Sequence, residues 1–394
     1  MMLSTIKYSM LSNTDDLIKQ GNRCTLPWLH SQINLQRNKV TPCCKYKASL
    51  GPVESFIKIW KGEELQKLKD DIRNDIVHEN CSACHVPDNV FSYRAFKNDE
   101  FSRSRLNVDL DSEDLPHVLN FSLKNICNLA CRMCSPLSSS RLEEISKKSI
   151  FLSDLYGGIK RNNNYDVKSL KGMFFNVEYI TISGGEPLID SDCFELIDLI
   201  KNESSHLKSI TFSTNFTKPN KNIIDSLKNL GCKVKLNISI DGPTKIHEYI
   251  RYGCDWKNII ENIRSNKNFS YGVNSTVSVL NVGYIPELLL ELENIEQQTG
   301  IKFTHLMSSP VLERHLHVGN LPKSIKEFYT EKLSRYGIPT QLPGSAEILE
   351  TGLSLLEQKL PDWNLTKRFL NEFDSITKTA YQTIYPEFDA LDKT

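Results

Sequence analysis

Six short β-rich runs alternate with helical stretches through the middle of the chain, and this rhythm limits the fold more than any other feature. The runs are VLNFSL (118–123), EYITIS (178–183), KSITFS (208–213), KVKLNISI (233–240), VNSTVSVL (273–280) and KFTHLM (302–307). Amphipathic stretches such as NIIDSLKNLG (222–231) and WKNIIENIRS (256–265) lie between them. In PELLLELENIEQQTG, Pro286 opens the stretch and Gly300 closes it, as a helix start and stop would. Repeated strand–helix alternation implies βα units and a parallel sheet. Right-handed crossovers curl such a sheet toward a full or partial barrel, with ligands at the C-terminal ends of its strands. The expected fold class is α/β, a partial (β/α)6 TIM-like barrel.

The flanks break the rhythm. Residues 1–108 hold five cysteines among irregular polar, Pro and Gly segments, and are expected to form a small cysteine-rich auxiliary domain. The acidic stretch DLDSEDLP (109–116) reads as a linker into a core of residues 117–307. Residues 308–394 turn helical, with candidates at 324–337, 345–360 and 364–380, and are expected to form a helical C-terminal extension.

Charge excludes some classes of function. Lys+Arg and Asp+Glu balance at 48 each, which argues against a strongly basic nucleic-acid or membrane surface. No run of ~18 apolar residues exists, so no membrane span is expected. The first 20 residues lack a long apolar core and a small-residue cleavage site, so no signal peptide is read and a cytoplasmic location is expected.

The 11 cysteines then need another explanation than disulfides, which a reducing compartment disfavours. Eight lie in the first 134 residues, and clustered cysteines in such a chain point to metal. LKNICNLACRMCSP places Cys127, Cys131 and Cys134 in C-x3-C-x2-C spacing directly after the first strand run. Three thiolates on so short a loop can converge on one centre. A structural zinc would want a fourth protein ligand. A [4Fe–4S] cluster held by three cysteines leaves one iron open for an outside ligand. A zinc loop or three buried thiols is the plainer alternative.

The run CNLACRMC resembles the signature of the radical S-adenosylmethionine (SAM) superfamily. Further family-like motifs follow at successive strand ends: Gly184-Gly185-Glu186-Pro187, then Ser213-Thr214-Asn215, then Ser239-Ile240-Asp241-Gly242, with Thr276-Val277-Ser278 in the fifth strand. The resemblance covers residues 117–307. It implies that Cys127, Cys131 and Cys134 hold a [4Fe–4S] cluster whose open iron binds SAM. It also implies SAM contacts from Gly184, Gly185, Glu186, Pro187, Ser213, Asn215, Ser239, Asp241, Arg251 and Val277. In that assignment the glycines let backbone approach SAM, Glu186 accepts from its amino group, and Ser213 and Asn215 reach its ribose or carboxylate. Arg251 pairs with its carboxylate and Val277 touches adenine. Met133 departs from the aromatic residue many members carry there.

The N-terminal cysteines are Cys24, Cys43, Cys44 and the pair Cys81-x2-Cys84. Four of the five can complete a thiolate set for zinc or for a fully ligated iron–sulfur cluster. Pro42-Cys43, Ile59-Trp60 and Cys81/Cys84 resemble the twitch/SPASM type of auxiliary iron–sulfur domain, which assigns a second [4Fe–4S] cluster to Cys24, Cys43, Cys81 and Cys84. On a strand neighbouring side chains diverge, so Cys44 is expected to face away. In many relatives this domain follows the barrel; here it precedes it. Cys193, Cys232 and Cys254 read as buried thiols, and His315 and His317 sit in no supporting motif.

The resemblance implies a radical enzyme acting on a peptide, a protein side chain or a small molecule, fed by a one-electron donor such as flavodoxin or ferredoxin. Two other readings compete: a non-catalytic iron–sulfur or zinc scaffold, and a nucleic-acid-modifying enzyme of the same superfamily. The balanced charge argues against the second.

Overall fold

The computed structural model describes residues 24–74, 76–84, 114–157, 165–336, 341–360 and 362–391. The N-terminal 20 residues and most of the acidic 109–116 stretch lie outside the described residues. The strands among the described residues are β1 (His30–Asn34), β2 (Lys39–Thr41), β3 (Val118–Ser122), β4 (Ala130–Cys131), β5 (Tyr179–Ser183), β6 (Ser209–Thr214), β7 (Lys233–Ser239), β8 (Arg251–Tyr252), β9 (Ser270–Val277) and β10 (Phe303–Pro310). Together with their intervening helices they form a mostly parallel α/β arrangement, the partial TIM-like barrel expected from the alternation. Among the described residues no helix is long and apolar enough to cross a membrane.

The chain divides into two compact units, and the division runs through β5. The first comprises Met1–Ser122, Asn162–Thr181 and Glu195–Ser209. Its strand order is β5-β3-β1-β2. β1 and β2 are an antiparallel hairpin, turned at Asn38 with φ +49°, a conformation asparagine tolerates. β1 runs parallel to β3 in the register His30↔Val118 to Asn34↔Ser122. The cysteine-rich segment therefore adds two strands beside β3. The helix Glu63–Arg73 buries Leu65, Leu68 and Ile72, the spacing of one helical face. Trp60, from the helix Phe56–Trp60, donates its indole N–H to the Asp114 carbonyl at 2.6 Å.

The second unit comprises Leu123–Arg161, Ile182–Phe194 and Ile210–Thr394. Its strand order is β10-β9-β7-β6-β5, and a separate two-stranded sheet pairs β4 with β8. β9 runs parallel to both β7 and β10. Helices Lys221–Lys228, Thr244–Ile250 and Ile285–Thr299 follow β6, β7 and β9. The last carries Pro286 in its first turn and stops at Gly300 (φ +72°), whose N–H closes on the Glu296 carbonyl. Along β6, β7 and β9 buried residues such as Phe212, Leu236, Ile238 and Val273 alternate with half-buried polar ones such as Ser213, Ser239 and Thr276. One face of this sheet is thus core and the other polar. The helices Lys323–Arg335, Ser345–Glu357 and Trp363–Thr377 form the C-terminal part.

Candidate functional site

The cysteine loop leaves β3 and is held in place before any cofactor is considered. β4 puts Cys131 directly opposite Arg251 of β8, and the Arg132 N–H donates to the Ile250 carbonyl at 2.8 Å. Ser139 caps the helix Ser140–Ser146: its Oγ accepts from the Leu142 N–H at 3.0 Å and donates to the Leu129 carbonyl at 2.6 Å. Asn125 Nδ2 donates across the loop to the Pro136 carbonyl at 3.1 Å.

The Gly184–Glu186 turn after β5 packs against the start of this loop. The Gly185 N–H donates to the Lys124 carbonyl at 2.9 Å and the Glu186 N–H to the Ile126 carbonyl at 2.7 Å. Gly184 has φ +135°, and a Cβ there would stand 2.7 Å from the Leu123 nitrogen. A Cβ on Gly185 would stand 2.2 Å from the Ile126 carbonyl oxygen. Both glycines are therefore required by the chain's own close approach, whatever they offer a ligand.

Glu186 is 1% exposed and already committed. Its Oε1 accepts from Thr214 Oγ1 at 2.6 Å and from the Leu188 N–H at 3.1 Å, and its Oε2 accepts from the Asn215 N–H at 2.6 Å. Burial raises its pKa, against the pull of these donors. The carboxylate thus ties the β5 turn to the end of β6. Asn215 is also engaged. Its Oδ1 accepts from the Thr217 N–H and hydroxyl, and its Nδ2 donates to Asn128 Oδ1 at 3.0 Å and lies 3.9 Å from Cys127 Sγ.

These elements enclose a cavity of about 210 Å³. Cys127, Cys131, Cys134, Gly184, Gly185, Glu186, Ser213, Asn215, Ser239 and Arg251 all line it. Three expected SAM contacts do not. Pro187 is buried in the first turn of a short 3-10 helix capped by Glu186. Asp241 is 0% exposed, with one oxygen accepting from Arg251 Nε and the other from the Thr276 N–H. Val277 is core, and its neighbour Thr276 lines the cavity instead. Thr214, Ser183 and Met133 also line it. Thr214 belongs to the Ser213–Asn215 motif, where side-chain type alone gives no reason to prefer it.

The donor set suits an iron cluster. Burial pushes the Cys127 thiol up to about 12, and the neighbouring Cys131 adds to it. Burial likewise raises Cys131 and Cys134. Cys131 is buried, Cys127 and Cys134 are half-buried, and all three line the one cavity, a thiol set that could hold an iron–sulfur cluster. As the side chains are placed, no three His, Cys, Asp or Glu among the described residues stand close enough to hold a single metal ion.

Residues 121–310 match the family model described as Radical SAM superfamily. The chain carries a radical SAM superfamily domain. Among curated proteins it is similar to the GTP 3′,8-cyclase of Alkaliphilus oremlandii, at 29% identity over 37% of this chain and 42% of that protein. It is 30% identical to the mycofactocin maturase MftC of Mycobacterium ulcerans over 35% of this chain and 33% of that one. The probable GTP 3′,8-cyclase of Methanocaldococcus jannaschii is 28% identical over 43% of this chain and 53% of its own length. The matches thus span about half or less of each relative. A solved structure titled "Native anSMEcpe with bound AdoMet" aligns with TM-score 0.40 at 20% identity, over 55% of this chain and 58% of the other.

Outside the radical SAM domain, the N-terminal thiols of the first unit sense one another. Burial pushes Cys24 up to about 12, with Cys43, Cys81 and Cys84 each adding to it. Burial pushes Cys43 up to about 11. Cys24 and Cys43 pack against Leu26, Leu29 and Val118. Cys43 and Cys44 lie in a turn after β2 and not on a strand, and Cys44 is exposed. His30 supports this turn through Nδ1, 2.8 Å from the Pro42 carbonyl.

Proposed function

We propose that this chain is a radical SAM enzyme in which Cys127, Cys131 and Cys134 hold a [4Fe–4S] cluster and the adjoining cavity binds SAM. A cluster held there would supply the electron for reductive cleavage of SAM, the chemistry by which a hydrogen atom would be taken from a substrate. The chain's own residues place and shield these groups. Gly184 and Gly185 bring backbone to the cavity wall. Glu186, fixed by three protein donors, presents a negative wall suited to an ammonium. Ser213, Ser239 and Thr276 offer hydroxyls from three successive strand ends. Asn215 stands beside Cys127 and orients Asn128 in the cysteine loop.

Cys24, Cys43, Cys81 and Cys84 would hold a second, fully ligated [4Fe–4S] cluster that aids electron transfer or substrate binding. The substrate class is a peptide, a protein side chain or a small molecule. The partial similarity to a GTP cyclase and to a mycofactocin maturase supports radical chemistry without choosing among these. A flavodoxin or ferredoxin is the expected electron donor, and an open-iron cluster suits a reducing cytoplasm.

One observation carries this reading: the three cysteines of one loop and the ends of four strands, β5, β6, β7 and β9, line one cavity inside the radical SAM domain. The test is anaerobic reconstitution, an iron count, then SAM with dithionite and detection of 5′-deoxyadenosine. Wild type is expected to bind ~8 iron and a Cys127/Cys131/Cys134→Ala variant ~4, with cleavage only in wild type. Full iron without cleavage would instead point to a binding scaffold or to a substrate that must bind before SAM can react. About 4 iron in wild type and none in the variant would remove the second cluster.

A further inference from the structure

Arg251 is gripped on one side and offered on the other. Its Nε donates to Asp241 Oδ2 at 2.6 Å. Its Nη1 lies 3.6 Å from Cys131 Sγ, within N–H···S reach. Both ends of that contact are fixed by backbone, because β4 and β8 place Cys131 and Arg251 opposite each other. The grip is itself held. Asp241 Oδ1 accepts from the Thr276 N–H at 2.8 Å, and the Asp241 carbonyl accepts from Asn281 Nδ2 at 2.9 Å. The Asp241 N–H donates to His247 Nδ1 at 3.2 Å. His247 is fully buried, and burial followed by the charge of Arg251 drives its pKa well down, so it adds no second cation.

We propose that Arg251, oriented by Asp241, donates to the Cys131 sulfur and raises the reduction potential of the cluster that Cys131 helps to hold. This rests on the cluster assignment above and gives Arg251 a role other than pairing with the SAM carboxylate. A one-electron reduction adds negative charge to the cluster and its thiolates. A charged donor fixed at one sulfur stabilises the reduced form more than the oxidised form, and burial strengthens the effect. Asp241 is a positioning residue: both its oxygens are occupied by protein donors, and it acts through Arg251.

The test is an EPR-monitored redox titration of the anaerobically reconstituted full chain in the absence of SAM. The relevant signal is identified in a separate sample by its response to S-adenosylhomocysteine, which gives no reductive cleavage. Arg251→Gln is expected to move the midpoint of that signal to a more negative potential at unchanged iron content. Asp241→Asn keeps the volume, loosens the guanidinium and is expected to move it the same way by less. It also serves where Arg251→Gln does not fold. An unmoved midpoint in both variants overturns the proposal, and so does an unmoved midpoint with weakened SAM binding, which would return Arg251 to the SAM carboxylate. A wild-type chain with no signal responsive to S-adenosylhomocysteine overturns the functional reading itself, a result distinct from a cluster whose midpoint does not move.

Discussion

Arg132 and Asp374 form a buried ion pair at 2.5 Å across 242 residues of sequence. Arg132 sits between Cys131 and Met133 in the cysteine loop, and Asp374 lies on the helix Trp363–Thr377. The guanidinium carbon stands 3.6 Å from the Tyr249 ring centroid and 4.5 Å from that of Phe373. Arg132 Nη1 donates to the Tyr249 carbonyl, and Nη2 donates to Thr379 Oγ1 as well as to Asp374. Asp374 also accepts from the Tyr249 hydroxyl and from the Tyr381 N–H. The C-terminal helices, which carry no readable motif, thus anchor the cysteine loop.

Breaking this pair should be costly. Arg132→Met leaves Asp374 buried without its countercharge, a loss of about 3–5 kcal/mol for such pairs. Urea unfolding should show it, and iron uptake should fall with it. Arg132→Met/Asp374→Leu should recover part of the stability, since two apolar side chains leave no uncompensated charge. A single variant as stable as wild type would show that the pair does not hold the loop.

Gly185→Ala should separate packing at the site from packing elsewhere. Its Cβ would meet the Ile126 carbonyl oxygen at 2.2 Å, so the backbone just before Cys127 must move. Overpacking of this kind costs about 1–3 kcal/mol. Gly300→Ala is the control: it strains a left-handed φ, but its Cβ would meet only the flexible Lys267 Nζ among the described residues, at 3.5 Å. Both variants should unfold earlier, and only Gly185→Ala should lose iron after reconstitution. Equal iron in both would mean that the turn does not position the cysteines.

The sequence made the strands legible where side-chain alternation was strong, and misled where local side chains captured the backbone. β3, β5, β6 and β7 fall within one residue of their expected ends. β9 ends at Val277, three residues before the expected Leu280. There the Ser278 N–H turns to Asn281 Oδ1 at 2.8 Å and the Leu280 N–H to Ser278 Oγ at 3.2 Å, which takes both out of the ladder. The same strand shows why Val277 was a poor choice of cavity residue. Neighbours on a strand face opposite sides, so a motif names a segment while the register chooses Thr276. Alternation alone does not mark β1, because HSQIN is short and largely polar, although the twitch/SPASM resemblance implies a strand pair before Pro42-Cys43; β4 and β8 leave no signal because two residues carry no periodicity.

Glu186→Gln should show that this carboxylate holds structure as well as any ligand. Three donors converge on it, and an amide nitrogen turned toward the Asn215 N–H would set donor against donor. A buried donor left unmatched costs about 1–3 kcal/mol. Earlier urea unfolding of the metal-free variant would be the signature. An unchanged midpoint together with weakened SAM binding would assign the residue to the ligand alone.

Asp190 gives the chain a component of stability that grows toward acid. It caps the helix Ser191–Glu203 through Oδ1, 2.9 Å from the Asp192 N–H, while its buried Oδ2 has no hydrogen-bond partner among the described residues. Burial raises its pKa to about 6, against the hydrogen bond from the Asp192 N–H and the charge of Lys124, while the Asp192 carboxylate adds to the rise. The folded state therefore binds the Asp190 proton more tightly than the unfolded chain does. Its contribution is most favourable below the ordinary carboxylate pKa and is lost as pH rises through about 6. Asparagine caps helices as well as aspartate does and carries no charge. Asp190→Asn should therefore stabilise the protein relative to wild type at pH 7, and the advantage should shrink on going to pH 5. Urea unfolding of both proteins at the two pH values measures this directly. An advantage that does not shrink would mean that the Asp190 carboxylate is no more reluctant to ionise in the folded chain than in the unfolded one.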